Sequence, residues 1–307
     1  MTILITGGAG FIGSHLARRL VKDGNMVRVF DDCSRSDLSN LNGIRCDIQL
    51  GDIRSARHME RAIQRCNEVF HLAYVNGTPN FYNKPDYVLD VAVKGMINLI
   101  DCCLKYGVRN LTLMSSSEVC RAKLVGPDEA IPLVIPDPHN PRYSYSAGKI
   151  ISEMLAIHTK AFKRLFIVRP FNIYGPGMHH GHVIPDFVAQ LDKTPFEVLG
   201  NGEETRSFCY VDDLIDGIML MREKGEPGIY NIGTPVETTI YELAMAISRA
   251  AGKPITSISY LGKLREGDAE RRKPDISKIA ALGYAPKFSL DDGLRRMLNA
   301  VPVLQEH

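Results

Sequence analysis

Long apolar runs are missing from this sequence: no stretch reaches the roughly 18 residues that a membrane-crossing helix needs. No basic segment followed by an apolar one opens the chain, which begins Met1-Thr2-Ile3-Leu4-Ile5-Thr6-Gly7, so no secretion signal is expected. A dominant charge is lacking too. Lys and Arg number 37 against 35 Asp and Glu, a net of +2, which gives no electrostatic case for nucleic acid or a membrane surface. The 7 cysteines (Cys33, Cys46, Cys66, Cys102, Cys103, Cys120 and Cys209) are odd in number, scattered and without C-x-x-C spacing. That pattern argues against a disulfide framework or a zinc site and for reduced thiols in a cytoplasm. Internal repeats and low-complexity tracts are absent as well.

What is present is an ordinary globular balance, 45% hydrophobic and 23% charged over 307 residues, enough for a large core. The first half alternates β-rich runs with helical patterns, the grammar of a parallel sheet wound by crossover helices. Strands are expected at Thr2–Thr6, Met26–Asp31, Ile44–Gly51, Glu68–Leu72, Asn110–Ser115 and Leu165–Pro170. Ile12, Leu16 and Leu20 recur at helical spacing before Gly24, and another helix spans about 86–106, ended by Gly107. After Asn172 the punctuation becomes dense, with Gly175-Pro176-Gly177, Pro185, Pro195 and Gly200-Asn201-Gly202. Helical patterns return at about 211–223, 240–251 and 290–300. The fold class is therefore a doubly wound α/β domain over 1–172 with a smaller C-terminal lobe over 173–307, from which 228–233 can return a strand to the main sheet.

Gly7-Gly8-Ala9-Gly10-Phe11-Ile12-Gly13 follows the first strand and opens a helix. Glycine at 7 allows the tight turn, at 10 a close approach of backbone to a diphosphate, and at 13 close helix–strand packing. The anion then meets free N–H groups at Phe11 and Ile12, at the positive end of the helix dipole. Asp31, with Asp32 beside it, ends the second strand and is placed to accept hydrogen bonds from a ribose 2′-hydroxyl. A 2′-phosphate would meet that negative charge, so NAD is favoured over NADP, although Arg35 lies close by.

Tyr145-Ser146-Ala147-Gly148-Lys149 sets a phenol and an ammonium at i and i+4 on one helix face. A nearby cation stabilises a phenolate and lowers its pKa, making the phenol a usable base. Tyr143 lies off that face. Ser116 follows the end of a strand, where open α/β sheets bind ligands, and its hydroxyl is placed to hydrogen-bond a reacting oxygen there.

At these residues the chain resembles the extended short-chain dehydrogenase/reductases, the NAD-dependent epimerase/dehydratase family of nucleotide-sugar epimerases, dehydratases and UDP-glucuronate decarboxylases. The likeness runs through Thr6–Gly13, Gly51-Asp52-Ile53, His71-Leu72-Ala73, Ser115-Ser116-Ser117, Tyr145 and Lys149, Arg169-Pro170-Phe171-Asn172 and Arg272-Lys273-Pro274-Asp275. It implies Asp52 and Ile53 beside an adenine, and Leu72, Ala73, Pro170, Tyr145 and Lys149 along NAD. It further implies Asn172, Arg206 and Arg272 around the diphosphate of a nucleotide-sugar substrate. Tyr145 would take the proton of a sugar hydroxyl, usually at C4, as hydride passes to NAD. A homodimer through the helices near 86–106 and 145–162 is implied too.

Glu118, two residues after Ser116, is similar to the acid of the family's 4,6-dehydratases and decarboxylases, so it favours dehydration or decarboxylation with Glu118 as a C5 base. A C4 epimerase, and a non-catalytic dinucleotide sensor of the same fold, stand as alternatives. The chain departs from the family at Val119-Cys120-Arg121, where Val-Tyr-Gly is usual, and at Ala92-Val93-Lys94-Gly95-Met96. His179, His180 and His182 lack a companion acid pattern, so no metal is expected there.

Overall fold

The computed structural model describes residues 1–121, 124–262, 264 and 268–300. Its centre is a parallel sheet of seven strands. Six are β1 (Thr2–Thr6), β2 (Met26–Asp31), β3 (Asp47–Leu50), β4 (Glu68–His71), β5 (Asn110–Met114) and β6 (Arg164–Pro170), and the seventh is Gly228–Ile232. Their spatial order is Gly228–Ile232, β6, β5, β4, β1, β2, β3, so the strand order reverses at β1 and β4. A reversal of this kind opens a crevice at the strand carboxyl ends, because neighbouring connections leave on opposite faces. His71 Nδ1 and Thr6 Oγ1, 2.7 Å apart, tie β4 to β1 there.

The strands alternate with helices as the apolar spacing requires. Phe11–Lys22 buries Leu16, Ala17 and Leu20 and ends at Asp23, with Gly24 left-handed at φ 82°. Pro85–Tyr106 ends on Gly107 at φ 70° and lies against Ser144–His158. Ala56–Ile63 was not expected from the sequence. It starts on Ser55, whose hydroxyl accepts from His58 N, and buries Met59, Ala62 and Ile63.

The strand expected over Ile44–Gly51 is shorter, at Asp47–Leu50. The reason lies in the preceding turn: Ile44 N donates to Leu41 O and Cys46 N to Ile44 O, so these residues cannot join the ladder. In the second half, Ile240–Ala251 and Leu290–Ala300 lie as the patterns place them. The short strands Phe196–Val198, Thr205–Arg206, Cys209–Tyr210, Thr238–Thr239, Ile258–Tyr260 and Arg271–Arg272 have no counterpart in the sequence reading.

The boundary at 172 is not a clean seam. Gly228–Ile232 pairs with β6 from Phe166 to Pro170, and one core holds Ile3, Leu16 and Val29 together with Tyr174, Leu214, Leu243 and Leu294. Asn231, fully buried, donates to Pro127 O, has no partner at Oδ1 among the described residues, and sends its backbone N–H to Glu129 Oε1. A loop of the first half is thereby fastened to a strand of the second.

Candidate active site

The C-terminal ends of the strands open into a cavity of about 390 Å³, within the range of small-molecule and cofactor sites. The glycine loop forms one wall. Gly7 has φ 70°, and a Cβ there would sit 2.6 Å from Ala73 N; a Cβ on Gly13 would sit 2.1 Å from Gly7 O. Neither position tolerates a side chain, which is why the turn can run against β4 and expose the first-turn N–H groups of the following helix. Asp31 is fixed by two backbone donors, Ala9 N to Oδ2 at 3.0 Å and Cys33 N to Oδ1 at 2.9 Å. Burial pushes its carboxyl pKa up against those two bonds. Asp32, Ile53, Leu72, Ala73 and Pro170 line the same cavity. So does Asp52, whose carboxylate is forked by Arg54, with Nη2 to Oδ2 at 2.6 Å. The wall therefore offers a diphosphate seat, a ribose acceptor and an apolar floor in sequence, which fits a dinucleotide.

Ser116, Glu118, Tyr145, Lys149, Asn172 and Arg272 surround the other end. Burial drives the Tyr145 phenol up to about 12, with a hydrogen bond to the Ser116 hydroxyl pulling the other way. Its ring is gripped by Tyr74 and Phe81, with centroids 5.1 and 4.8 Å away. The expected effect of Lys149 on that phenol differs from the observed geometry. Lys149 Nζ donates to Met114 O at 2.7 Å and sits 3.8 Å from the Tyr74 ring centroid, against 5.9 Å from that of Tyr145. The main-chain carbonyl is a stronger acceptor than a ring face, so it captures the ammonium. Burial in turn lowers Lys149 to about 7, opposed by Glu153. Glu153 is itself forked by the fully buried Arg169, at 3.0 and 2.6 Å, and accepts from Ser115 Oγ at 2.5 Å.

Glu118 is the largest departure from expectation. Its carboxylate pairs with Arg272 through Oε1 and with Arg121 through Oε2, and Arg142 Nη2 lies 3.9 Å from Oε1. Burial alone would raise its pKa, but the three guanidiniums hold it down at about 2. A carboxylate so stabilised is a weak base, and the free C5 base expected from the sequence is not what this geometry provides. Arg121 stands three residues after Glu118, just past the short helical turn Ser117–Val119, so its spacing was a usable signal. Arg142, which also binds Asp268 at 2.9 Å, was visible only in three dimensions.

Arg206 does not line the cavity. Among the described residues its Nη1 goes to the carbonyls of Thr205 and Glu270 and its Nη2 to that of Ala269. Asn172 does line it, at φ 43°, with Nδ2 buried and unpartnered among the described residues. Tyr143 is buried under the Arg121 guanidinium, 5.4 Å from its ring centroid. His179 and His182 line the cavity, whereas His180 lies 4.0 Å from Asp186. Among the described residues no group of three or more His, Cys, Asp or Glu is placed to hold a metal, and no helix is long and apolar enough to cross a membrane. All seven cysteines are free thiols.

Comparison with known proteins gives concordant results. The family described as "NAD dependent epimerase/dehydratase family" matches residues 3–233. UDP-glucuronic acid decarboxylase 1 of Arabidopsis thaliana is 34% identical over 305 residues, covering 97% of this chain and 69% of the relative. Among solved structures, UDP-glucose 4-epimerase of Thermotoga maritima with UDP-glucose superposes with a TM-score of 0.86 at 30% identity, covering 98% of each chain. The dTDP-glucose 4,6-dehydratase of Streptomyces venezuelae, with NAD bound, gives 0.86 at 30% identity, over 98% of this chain and 96% of that one.

Proposed function

Since this chain belongs to the NAD-dependent epimerase/dehydratase family, and is an enzyme of nucleotide sugars with NAD as cofactor, we propose that its reaction is decarboxylation of a nucleotide-linked uronate. The observation that carries the reading is the state of Glu118. Both branches begin alike. When bound, NAD accepts and can return the hydride of the sugar's C4. Tyr145 takes the proton of the C4 hydroxyl, Ser116 holds the same oxygen by hydrogen bonding, and the positive charges of Arg35 and Arg272 favour the phenolate.

The branches then part on what they demand of the protein. Loss of water across C5 and C6 needs a free base for the C5 proton. Glu118, pinned by Arg272 and Arg121 and held near pKa 2, does not supply one. Loss of carbon dioxide needs none. A ketone at C4 makes a C6 carboxylate a β-keto acid: the C5–C6 bond breaks, its electron pair moves toward the C4 oxygen, and carbon dioxide departs. The enolate then takes a proton at C5 from solvent water, and Tyr145 gives its proton back to the C4 oxygen as the hydride returns to C4. Arg272 suits the uronate carboxylate, because it is only 5% exposed, lines the cavity and keeps an unpartnered Nε–H among the described residues. The likeness to the UDP-glucuronic acid decarboxylase of Arabidopsis points the same way.

C4 inversion is the second reading, favoured by the likeness to the Thermotoga epimerase and equally free of a C5 base. One experiment separates them. The NAD-loaded protein is given UDP-glucuronate, UDP-glucose and dTDP-glucose, and products are read by NMR and carbon dioxide release. A pentose nucleotide with one carbon dioxide per turnover supports decarboxylation. A 4-keto-6-deoxy product overturns it, and C4 inversion alone promotes the second reading. We further propose a homodimer through the paired helices Pro85–Tyr106 and Ser144–His158, whose outer face exposes Ile97, Leu104, Met154 and Ile157. Sedimentation of Met154→Lys tests it, with a shift toward monomer expected.

A further inference from the structure

Tyr74, in the loop after β4, touches both members of the Tyr145–Lys149 pair and lines the cavity beside them. Its ring stands edge-on to that of Tyr145, with centroids 5.1 Å apart. Its hydroxyl donates to Tyr145 O at 3.2 Å, in the first turn of Ser144–His158. Its ring face lies 3.8 Å from Lys149 Nζ, well inside the range at which an ammonium is drawn to an aromatic quadrupole. Gly148 makes the room. A Cβ there would stand 2.1 Å from the Tyr74 oxygen, so a side chain at 148 would displace the ring.

Lys149 needs such a neighbour. It is only 4% exposed, and a buried ammonium tends to give up its proton. On its own helix it faces Tyr145 and Glu153, and Glu153 is already forked by Arg169 of β6. From β5 comes the Met114 carbonyl. From β4 comes His71, held at about 3 by burial first and by Lys149 next, and therefore neutral. The Tyr74 face supplies negative potential without an ionisable acid. Burial, and then the Tyr145 phenol, push the Tyr74 phenol well above its usual range, so Tyr74 stays a neutral ring and not a second base.

We propose that Tyr74 is a positioning residue for C4 oxidation: its ring face holds the Lys149 ammonium in place, and its hydroxyl fixes the helical turn that carries Tyr145. The inference rests on reading Tyr145 as the base and Lys149 as its companion in that step, but not on which reaction follows. Tyr74 acts through Lys149, so the rate of oxidation tracks the charged fraction of that lysine.

The test compares Tyr74→Leu, Tyr74→Phe and a series in which the phenylalanine at 74 carries increasing numbers of ring fluorines, all in the full chain loaded with NAD. Fluorine drains the ring face of negative potential while nearly keeping its shape, so a merely structural role would not respond to it. Lys149 is titrated without substrate by NMR of isotope-labelled lysine, its signal assigned by loss in Lys149→Met. The rate of NADH appearance with UDP-glucuronate and UDP-glucose is followed across pH. Proton affinity of Lys149 should stay within about twofold in Tyr74→Phe, fall stepwise with fluorination, and drop about tenfold in Tyr74→Leu. The oxidation rate at pH 7 should fall in the same order, with its alkaline limb moved to lower pH. If Tyr74→Leu fails to fold, the fluorinated series decides alone. A titration that is flat across the series, or a rate that ignores a falling proton affinity, overturns the proposal. Because Lys149 is titrated without turnover, a failed decarboxylase assay leaves that result intact, and a flat titration leaves the reaction reading intact.

Discussion

Replacing Glu118 by Gln keeps the size and one acceptor oxygen but removes the charge that Arg121, Arg142 and Arg272 share. The carboxyl sits at about 2 in the folded protein against an ordinary 4.5. Each unit is worth about 1.4 kcal/mol, so the ionised form contributes on the order of 3 kcal/mol at neutral pH. A depressed acid pKa stabilises the fold above the unfolded value and loses that contribution as pH falls through the folded one. The wild-type advantage over Glu118→Gln should therefore be complete above about pH 5 and shrink between pH 4.5 and 2, where protonated Glu118 comes to resemble glutamine. Urea unfolding at pH 7, 5, 4 and 3 reads this directly. Turnover adds a second readout. A C5 base removed by the same change would cost about 10²–10⁴-fold in kcat. A carboxylate that only orients Arg272 should instead raise KM for a uronate while kcat stays within about tenfold. An unchanged unfolding midpoint at pH 7, together with a thousand-fold loss of kcat, would refute the argument, because Glu118 would then be a free base rather than a clamped ion.

Three further outcomes follow from the same geometry. Lys149→Met should slow C4 oxidation while stabilising the fold at pH 7 by on the order of 4 kcal/mol, because burial holds Lys149 at about 7 against an ordinary 10.5. This cost of charging falls away as pH rises toward 10.5, so the gain should vanish in alkaline melts, and a lowered midpoint at pH 7 would contradict it. Tyr145→Phe should abolish turnover and leave NAD affinity within about threefold, since the ring contacts with Tyr74 and Phe81 survive; near wild-type turnover would remove Tyr145 as the base. Asp31→Ala should weaken NAD more than NADP, by at least tenfold, in parallel titrations; equal losses would mean that Asp31 serves the loop alone.

Periodic segments were legible because local chemistry and tertiary need agree in them. Ile240–Ala251 carries its own capping box, Thr239 with Glu242, and its own left-handed stop at Gly252, so its bounds could be read from sequence. The Gly7–Gly13 turn was equally plain, since close approach admits no other residue there. Ala56–Ile63 was missed although Ser55 marks its start, because eight residues carry too few apolar repeats to stand out. The two-residue strands of the second half depend on partners that are distant in sequence, such as Arg271–Arg272 beside Thr205–Arg206. At the site, sequence spacing could align Tyr145 with Lys149 on a helix face. It could not reveal that Met114 O captures the ammonium, or that arginines 142 and 272 converge on Glu118.

The return of Gly228–Ile232 to the sheet has a consequence for how the chain reaches its fold. β6 is flanked on one side by a strand synthesised more than fifty residues later, so an emerging polypeptide that ends near residue 172 presents Phe166 and Val168 on an open strand edge. Such edges recruit other strands, and closing this one requires a long loop to be ordered first. Expression of 1–172 alone should therefore give aggregates rather than a free-standing module. On the ribosome, the nascent chain needs shielding until the residues beyond 232 emerge.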